Sequence, residues 1–99
     1  MKIMVSIVKS KVPYDELMDA FSKDAPLFNE AGVTWKIWLE NKEEGLVGGI
    51  YYFKTQEAFD KFPTPELMKK GIGHQMVERI SSHVFDVVED LSLVNKAPI

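Results

Sequence analysis

Two runs, Trp35-Lys-Ile-Trp38 and Gly48-Gly-Ile-Tyr-Tyr-Phe53, are joined through the polar turn Glu40-Asn-Lys-Glu-Glu-Gly45. Aromatic and β-branched residues at alternating positions favour strands, and a short polar turn ending in glycine joins two such strands into a hairpin. In the first strand Val33, Trp35, Ile37 and Leu39 fall on one side, with Thr34, Lys36, Trp38 and Glu40 on the other. The second strand runs from Leu46 to Lys54. Adjacent glycines are unfavourable in a strand interior, so Gly48-Gly49 predicts a bulge or a place where another group comes close to the backbone. Large apolar side chains occupy both faces: Trp35 and Ile37 against Trp38, and Tyr51 and Phe53 against Ile50 and Tyr52. A sheet with helices on one face and water on the other would have one polar side. This pattern has none, so the second face calls for a partner.

Outward from the hairpin, Lys2 to Lys9 alternates Ile3, Val5 and Ile7 against Met4, Ser6 and Val8 and predicts a strand. Pro13 suits a first helical position, with Asp15 and Glu16 in the dipole-favoured first turn. Leu17, Ala20, Phe21, Leu27, Phe28 and Ala31 form an apolar stripe that Gly32 ends. Pro26 interrupts the stripe, either kinking one helix or marking a restart with Asp24 as N-cap; one kinked helix is favoured. Thr55 can N-cap a second helix carrying Phe59 and Phe62 and ended by Pro63. Thr64-Pro65-Glu66 starts a further turn or two that Gly71 stops. A last strand covers about Val77 to Val88, and Leu91 to Ile99 forms a mildly apolar tail. The order β-α-β-β-α-β is that of an α+β, ferredoxin-like unit with a four-stranded antiparallel sheet, and residues 1–99 are expected to form a single domain.

With Val84-Phe-Asp-Val87 and Asp90-Leu-Ser-Leu-Val-Asn-Lys-Ala97, these blocks stand in the order found in one small family. From Gly32 to Ala97 the chain resembles the YdhR-like mono-oxygenases of the dimeric α+β barrel fold. The resemblance implies a homodimer in which two sheets face each other, and a ligand held between sheet and helices. It also implies oxygenation with no bound flavin, haem or metal. The segment Pro63 through His74, broken by Pro65, Gly71 and Gly73, departs from the family pattern where a cover over the pocket is expected.

Composition narrows the partners. Among 99 residues, 45% are hydrophobic and 27% charged, and the formal charge is −3, so no basic footprint for nucleic acid or an anionic membrane exists. The absence of cysteine excludes disulfides, thiolate nucleophiles and Cys-ligated metals. The apolar run Ile3 to Val8 is too short for a signal h-region, and no stretch reaches membrane-spanning length, so a cytoplasmic protein is expected. An RNA-recognition module shares the ferredoxin-like order, and Gly49-Ile-Tyr-Tyr-Phe53 has its spaced aromatics. The negative charge and the lack of an aromatic pair on the first strand argue against it.

Trp35, Trp38, Tyr51 and Tyr52 are the candidates to wall a ligand pocket, although strand aromatics are most often simply packed. Trp35 and Tyr51 are the preferred wall residues. His74 and His83 are the side chains whose unperturbed pKa suits proton transfer near neutrality. His83, beside Val84-Phe85, reads as a half-buried structural histidine. His74 follows Gly71-Ile-Gly73 at the expected cleft mouth and is the candidate catalytic base. No metal is expected, because His74 and Glu78 share a face only on a helix, and His83 and Asp86 lie on opposite faces of a strand. Gly71-x-Gly73 is no dinucleotide fingerprint, since Met76 stands where the third glycine belongs. Asn29 and Asn41 are candidates to bind a substrate oxygen, Asn41 being better suited to the hairpin turn. The resemblance implies a cofactor-independent mono-oxygenase acting on a small, apolar, quinol- or phenol-like molecule, for which these aromatics would wall the pocket and His74 would be the base. The alternatives are a non-catalytic small-molecule binding protein and an isomerase of the same fold.

Overall fold

The computed structural model describes residues 1–99. Four strands, β1 (Lys2–Ser10), β2 (Trp35–Asn41), β3 (Leu46–Phe53) and β4 (Val77–Asp86), form one sheet in the order β2-β3-β1-β4. Every neighbouring pair is antiparallel, which gives the α+β, ferredoxin-like arrangement. Helix α1 (Tyr14–Glu30) crosses one face between β1 and β2. Two short helices follow β3, α2 (Gln56–Asp60) and α3 (Pro65–Lys70), and a 3-10 turn over Gly73–Met76 leads into β4. A fourth helix, α4 (Glu89–Val94), occupies the segment expected to be only a tail.

Local chemistry accounts for the boundaries. α1 begins behind Pro13 and passes unbroken through Pro26, so Asp24 caps nothing and the single-helix alternative holds. The Thr55 hydroxyl accepts from the Ala58 N–H at 3.1 Å, and the Thr64 hydroxyl from the Leu67 N–H at 3.2 Å. Each caps a helix too short to persist without it.

The register settles the two readings of the adjacent glycines. β3 pairs regularly with β1 and β2 through Gly48 and Gly49, so no bulge lies there. A Cβ on Gly48 would sit 2.1 Å from the Ser6 carbonyl oxygen, and one on Gly49 would sit 2.8 Å from Lys36 Cε. The second contact matters most, because Gly49 leaves the space through which the Lys36 side chain runs. The sheet's one irregularity falls instead between β1 and β4, at Ile7/Val8.

The two faces differ in how they are covered. On the helical face Leu17, Ala20, Phe53 and Leu67 are buried, with Phe53 edge-on to Phe59 and Phe62 at ring distances of 5.4 and 5.2 Å. The other face is covered in part by the C-terminal segment. Trp35 stacks on Tyr52 with centroids 5.1 Å apart, and its indole N–H donates to the Pro98 carbonyl at 2.9 Å. The remainder of that face is open, with Ile37, Phe85 and Ile80 each about half exposed, and only 12 of 99 residues are buried overall. No helix is long and apolar enough to cross a membrane.

Candidate functional site

A cavity of about 480 Å³ lies between the sheet and the helices of the covered face. Strand alternation sends Lys36, Trp38 and Tyr51 into it, because Lys36 pairs with Tyr51 and Trp38 with Gly49 across β2 and β3. Phe21 and Phe28 close it from α1, and Phe62, Met68 and His74 from the segment after β3. A shallower groove of about 350 Å³ adjoins it and shares Phe21 and Trp38.

Lys36 is the most unusual group in the cavity. Its Nζ stands 3.4 Å from the Trp38 ring centroid, 3.6 Å from Phe28 and 4.3 Å from Tyr51. No carboxylate pairs with it, since the ion pairs of the protein involve Lys2, Lys23, Lys61 and Lys70. Burial pulls Lys36 down to about 7, and the charge of Asp24 opposes that fall. The aromatic faces also favour the ammonium, so desolvation has to outweigh both attractions. Burial has the opposite effect on the Tyr51 phenol, raising it to about 12, with the Arg79 charge acting against the rise. Tyr51 therefore stays a protonated hydrogen-bond donor at neutral pH, while Lys36 exchanges its proton there.

Asp24 is buried but not free. Its carboxylate accepts from the Gly73 N–H at 2.7 Å and from the Ile72 N–H at 3.0 and 3.1 Å. A Cβ on Gly73 would lie 2.8 Å from the Phe21 ring and 3.0 Å from the same carboxylate, so only glycine allows this approach. These hydrogen bonds tie the segment bearing His74 to α1.

The residues named from the sequence divide. Tyr51, Trp38 and His74 line the cavity, His74 at its exposed rim. Trp35 does not. It faces the opposite side of the sheet, because adjacent strand residues alternate and Trp35 pairs with Tyr52, so the expectation that Trp35 and Tyr51 share a wall is corrected. Asn29 is exposed on α1 and absent from the lining, and Asn41 takes the Glu44 N–H at 3.1 Å within the hairpin turn. His83 lies exposed on the open face near Phe85. No group of three or more His, Asp or Glu side chains stands close enough to hold a metal ion. Lys36, Asp24 and Arg79 were not among the sequence candidates. Lys36 alone carried a signal, as a lysine flanked by large apolar residues on what reads as the more polar side of β2.

The family model described as "Putative mono-oxygenase ydhR" matches residues 5–98. No curated protein matches the chain. Among solved structures, a point mutant of SnoaB, a cofactor-independent oxygenase from Streptomyces nogalater, aligns with a TM-score of 0.72 at 14% identity, covering 89% of this chain and 93% of that one. The structural-genomics protein YJCS aligns with a TM-score of 0.63 at 17% identity, covering 87% of this chain and 97% of its own. Identities this low establish a shared fold. The match over residues 5–98 establishes more: the chain belongs to the ydhR family of mono-oxygenase-like proteins.

Proposed function

We propose that the protein is a cofactor-independent mono-oxygenase that converts an electron-rich hydroxyarene into a quinone. The observation that carries this reading is Lys36, a lysine brought to about 7 inside an aromatic cavity large enough for one or two fused rings. The family description and the fold shared with a cofactor-independent oxygenase support it.

In the proposed reaction the neutral Lys36 amine removes the hydroxyl proton, and the ammonium that forms stabilises the arenolate beside it. The arenolate passes electrons to dioxygen, which bonds at the ring carbon para to the oxygen. The O–O bond then breaks and that carbon loses its hydrogen. One oxygen atom becomes the second quinone carbonyl and the other leaves as water. All four electrons come from the substrate, so atoms balance with no external reductant. Tyr51 serves as a hydrogen-bond donor to the substrate oxygen, and the rings of Phe28 and Trp38 form an aromatic wall beside Lys36.

His74 is the second group on the cavity able to accept a proton, from its rim. Lys36 is assigned the base because burial, not exposure, surrounds it. Oxygen uptake with α-naphthol distinguishes the two. Lys36→Met should lower the rate by about 10²–10⁴-fold, the loss typical of a positioned base, and His74→Ala by far less. The opposite order would transfer the role to His74. Binding of α-naphthol without oxygen uptake would favour a non-catalytic binding protein.

The proposal includes a homodimer. The open sheet face, with Ile37 and Phe85 exposed, together with the exposed Leu91 of α4, is the surface on which a second copy would pack.

A further inference from the structure

We propose that the cavity carries a carboxylate subsite built on Arg79, so that the molecule it takes is a hydroxyarene bearing an acidic group. This deepens the reading of the cavity given above and rests on it.

A bulge interrupts the pairing of β1 with β4. Along β1 and β4, Ile7 pairs with Ser81 but the next residue, Val8, pairs with Arg79, so Ile80 is skipped. In a regular ladder Val8 would face Ile80, and Arg79 would point to the open face of the sheet. The extra residue reverses this: Ile80 is left 52% exposed, and Arg79, also solvent-exposed, joins the rim of the cavity lining. Bulges beside active sites commonly re-aim one side chain in this way. Here the side chain gained is a guanidinium.

That guanidinium has no partner of its own. Arg79 takes part in none of the ion pairs of the protein, and the one carboxylate on the cavity wall, Asp24, is engaged by the N–H groups of Ile72 and Gly73. Arg79 nonetheless acts on the cavity, since its charge is felt at the Tyr51 phenol. Beside it, Ser6 pairs with Ser82 on the same face and both line the cavity. The serine hydroxyls that are hydrogen-bonded within the protein are those of Ser10, Ser22 and Ser92, so Ser6 and Ser82 are free to donate. A planar fork of N–H donors with two hydroxyls on the same sheet face supplies the kind of donors a carboxylate accepts from. In a chain of net charge −3, a cavity lined by the Arg79 guanidinium and a single, already satisfied carboxylate favours an anion.

The test titrates meta-hydroxybenzoate and its methyl ester into the Trp35→Phe protein, in which Trp38 is the only remaining tryptophan and reports from the cavity wall. The acid should quench at a dissociation constant at least about ten-fold lower than the ester, the span expected for a hydrogen-bonded charge pair. That preference should shrink as salt is added. Arg79→Gln should reduce the acid-to-ester ratio to near one, and Arg79→Lys should restore part of it, because the charge returns without the fork. Equal affinity of acid and ester for the unsubstituted arginine would overturn the subsite, as would an unchanged ratio in Arg79→Gln. If the ester is bound and α-naphthol still consumes oxygen while the acid shows no advantage, only the carboxylate subsite falls. Failure of both ligands to saturate would overturn the cavity reading as well. Should Arg79→Gln not fold, the acid-to-ester ratio and its salt dependence in the arginine protein decide the matter alone.

Discussion

A lysine enclosed by aromatic rings is held between opposing effects. Contact with a ring face favours the ammonium by about 0.5–2 kcal/mol, and withdrawal from water disfavours it by more when no carboxylate lies alongside. For Lys36 the second effect prevails, since its pKa falls from 10.5 to about 7. The sign of the consequence is fixed. Between about 7 and 10.5 the unfolded chain binds the proton that the folded chain releases, so this group makes stability rise with pH across that window. Lys36→Met should flatten the rise, as read from urea midpoints at a series of pH values, and an unchanged profile would mean that Lys36 is solvated. In catalysis the same residue should give a rate that climbs with pH to a plateau above about 7. Tyr52 offers a test of a different kind. Its hydroxyl is buried with no hydrogen-bond partner, so Tyr52→Phe should leave stability equal or raise it by up to about 1–3 kcal/mol. A clear loss would show that the hydroxyl meets a partner in the assembled protein. Little of this was legible in the sequence. Periodicity placed Tyr51 and Trp38 in strands, but a lysine on the nominally polar side of β2 reads as solvated until Gly49 and the rings of Phe28 and Trp38 are seen around its stem.

At the scale of elements, alternation and turn chemistry carried the reading. The hairpin, the caps at Thr55 and Thr64 and the helix through Pro26 follow from local pattern, and all are present. Two features did not follow, because neither is local. The bulge between β1 and β4 has no glycine or proline to announce it, and it depends on how two distant strands align. The tie between Asp24 and Gly73 spans 49 residues, and nothing near Asp24 marks it. That tie joins α1 to the cover of the cavity. Asp24→Ala would leave the buried N–H of Gly73 without an acceptor and should cost about 2–5 kcal/mol of stability in urea unfolding. It should also speed hydrogen exchange at Ile72 and Gly73. A variant as stable as the parent, with exchange unaltered, would mean that the cover is held by other contacts.

For the molecule as a whole, the two faces of the sheet differ: one encloses a cavity, and the other leaves apolar side chains exposed, the surface proposed above for a second copy. The apolar character of both faces was legible from β2 and β3 alone, whereas the packing of the tail on Trp35 was not, since it depends on Pro98 returning across the sheet. If α4 and the residues after it help to embrace the partner, truncation after Asp90 should weaken a dimer measurable by sedimentation equilibrium at low micromolar concentration. A folded full-length monomer there would contradict that arrangement. The chemistry proposed for the cavity can be followed with labelled dioxygen. The purified protein, given α-naphthol and heavy-isotope O₂ with no added reductant, should form the para-quinone with one labelled oxygen atom, consuming one O₂ for each quinone made. A quinone carrying no label, or no quinone at all from an otherwise ligand-binding protein, would contradict it.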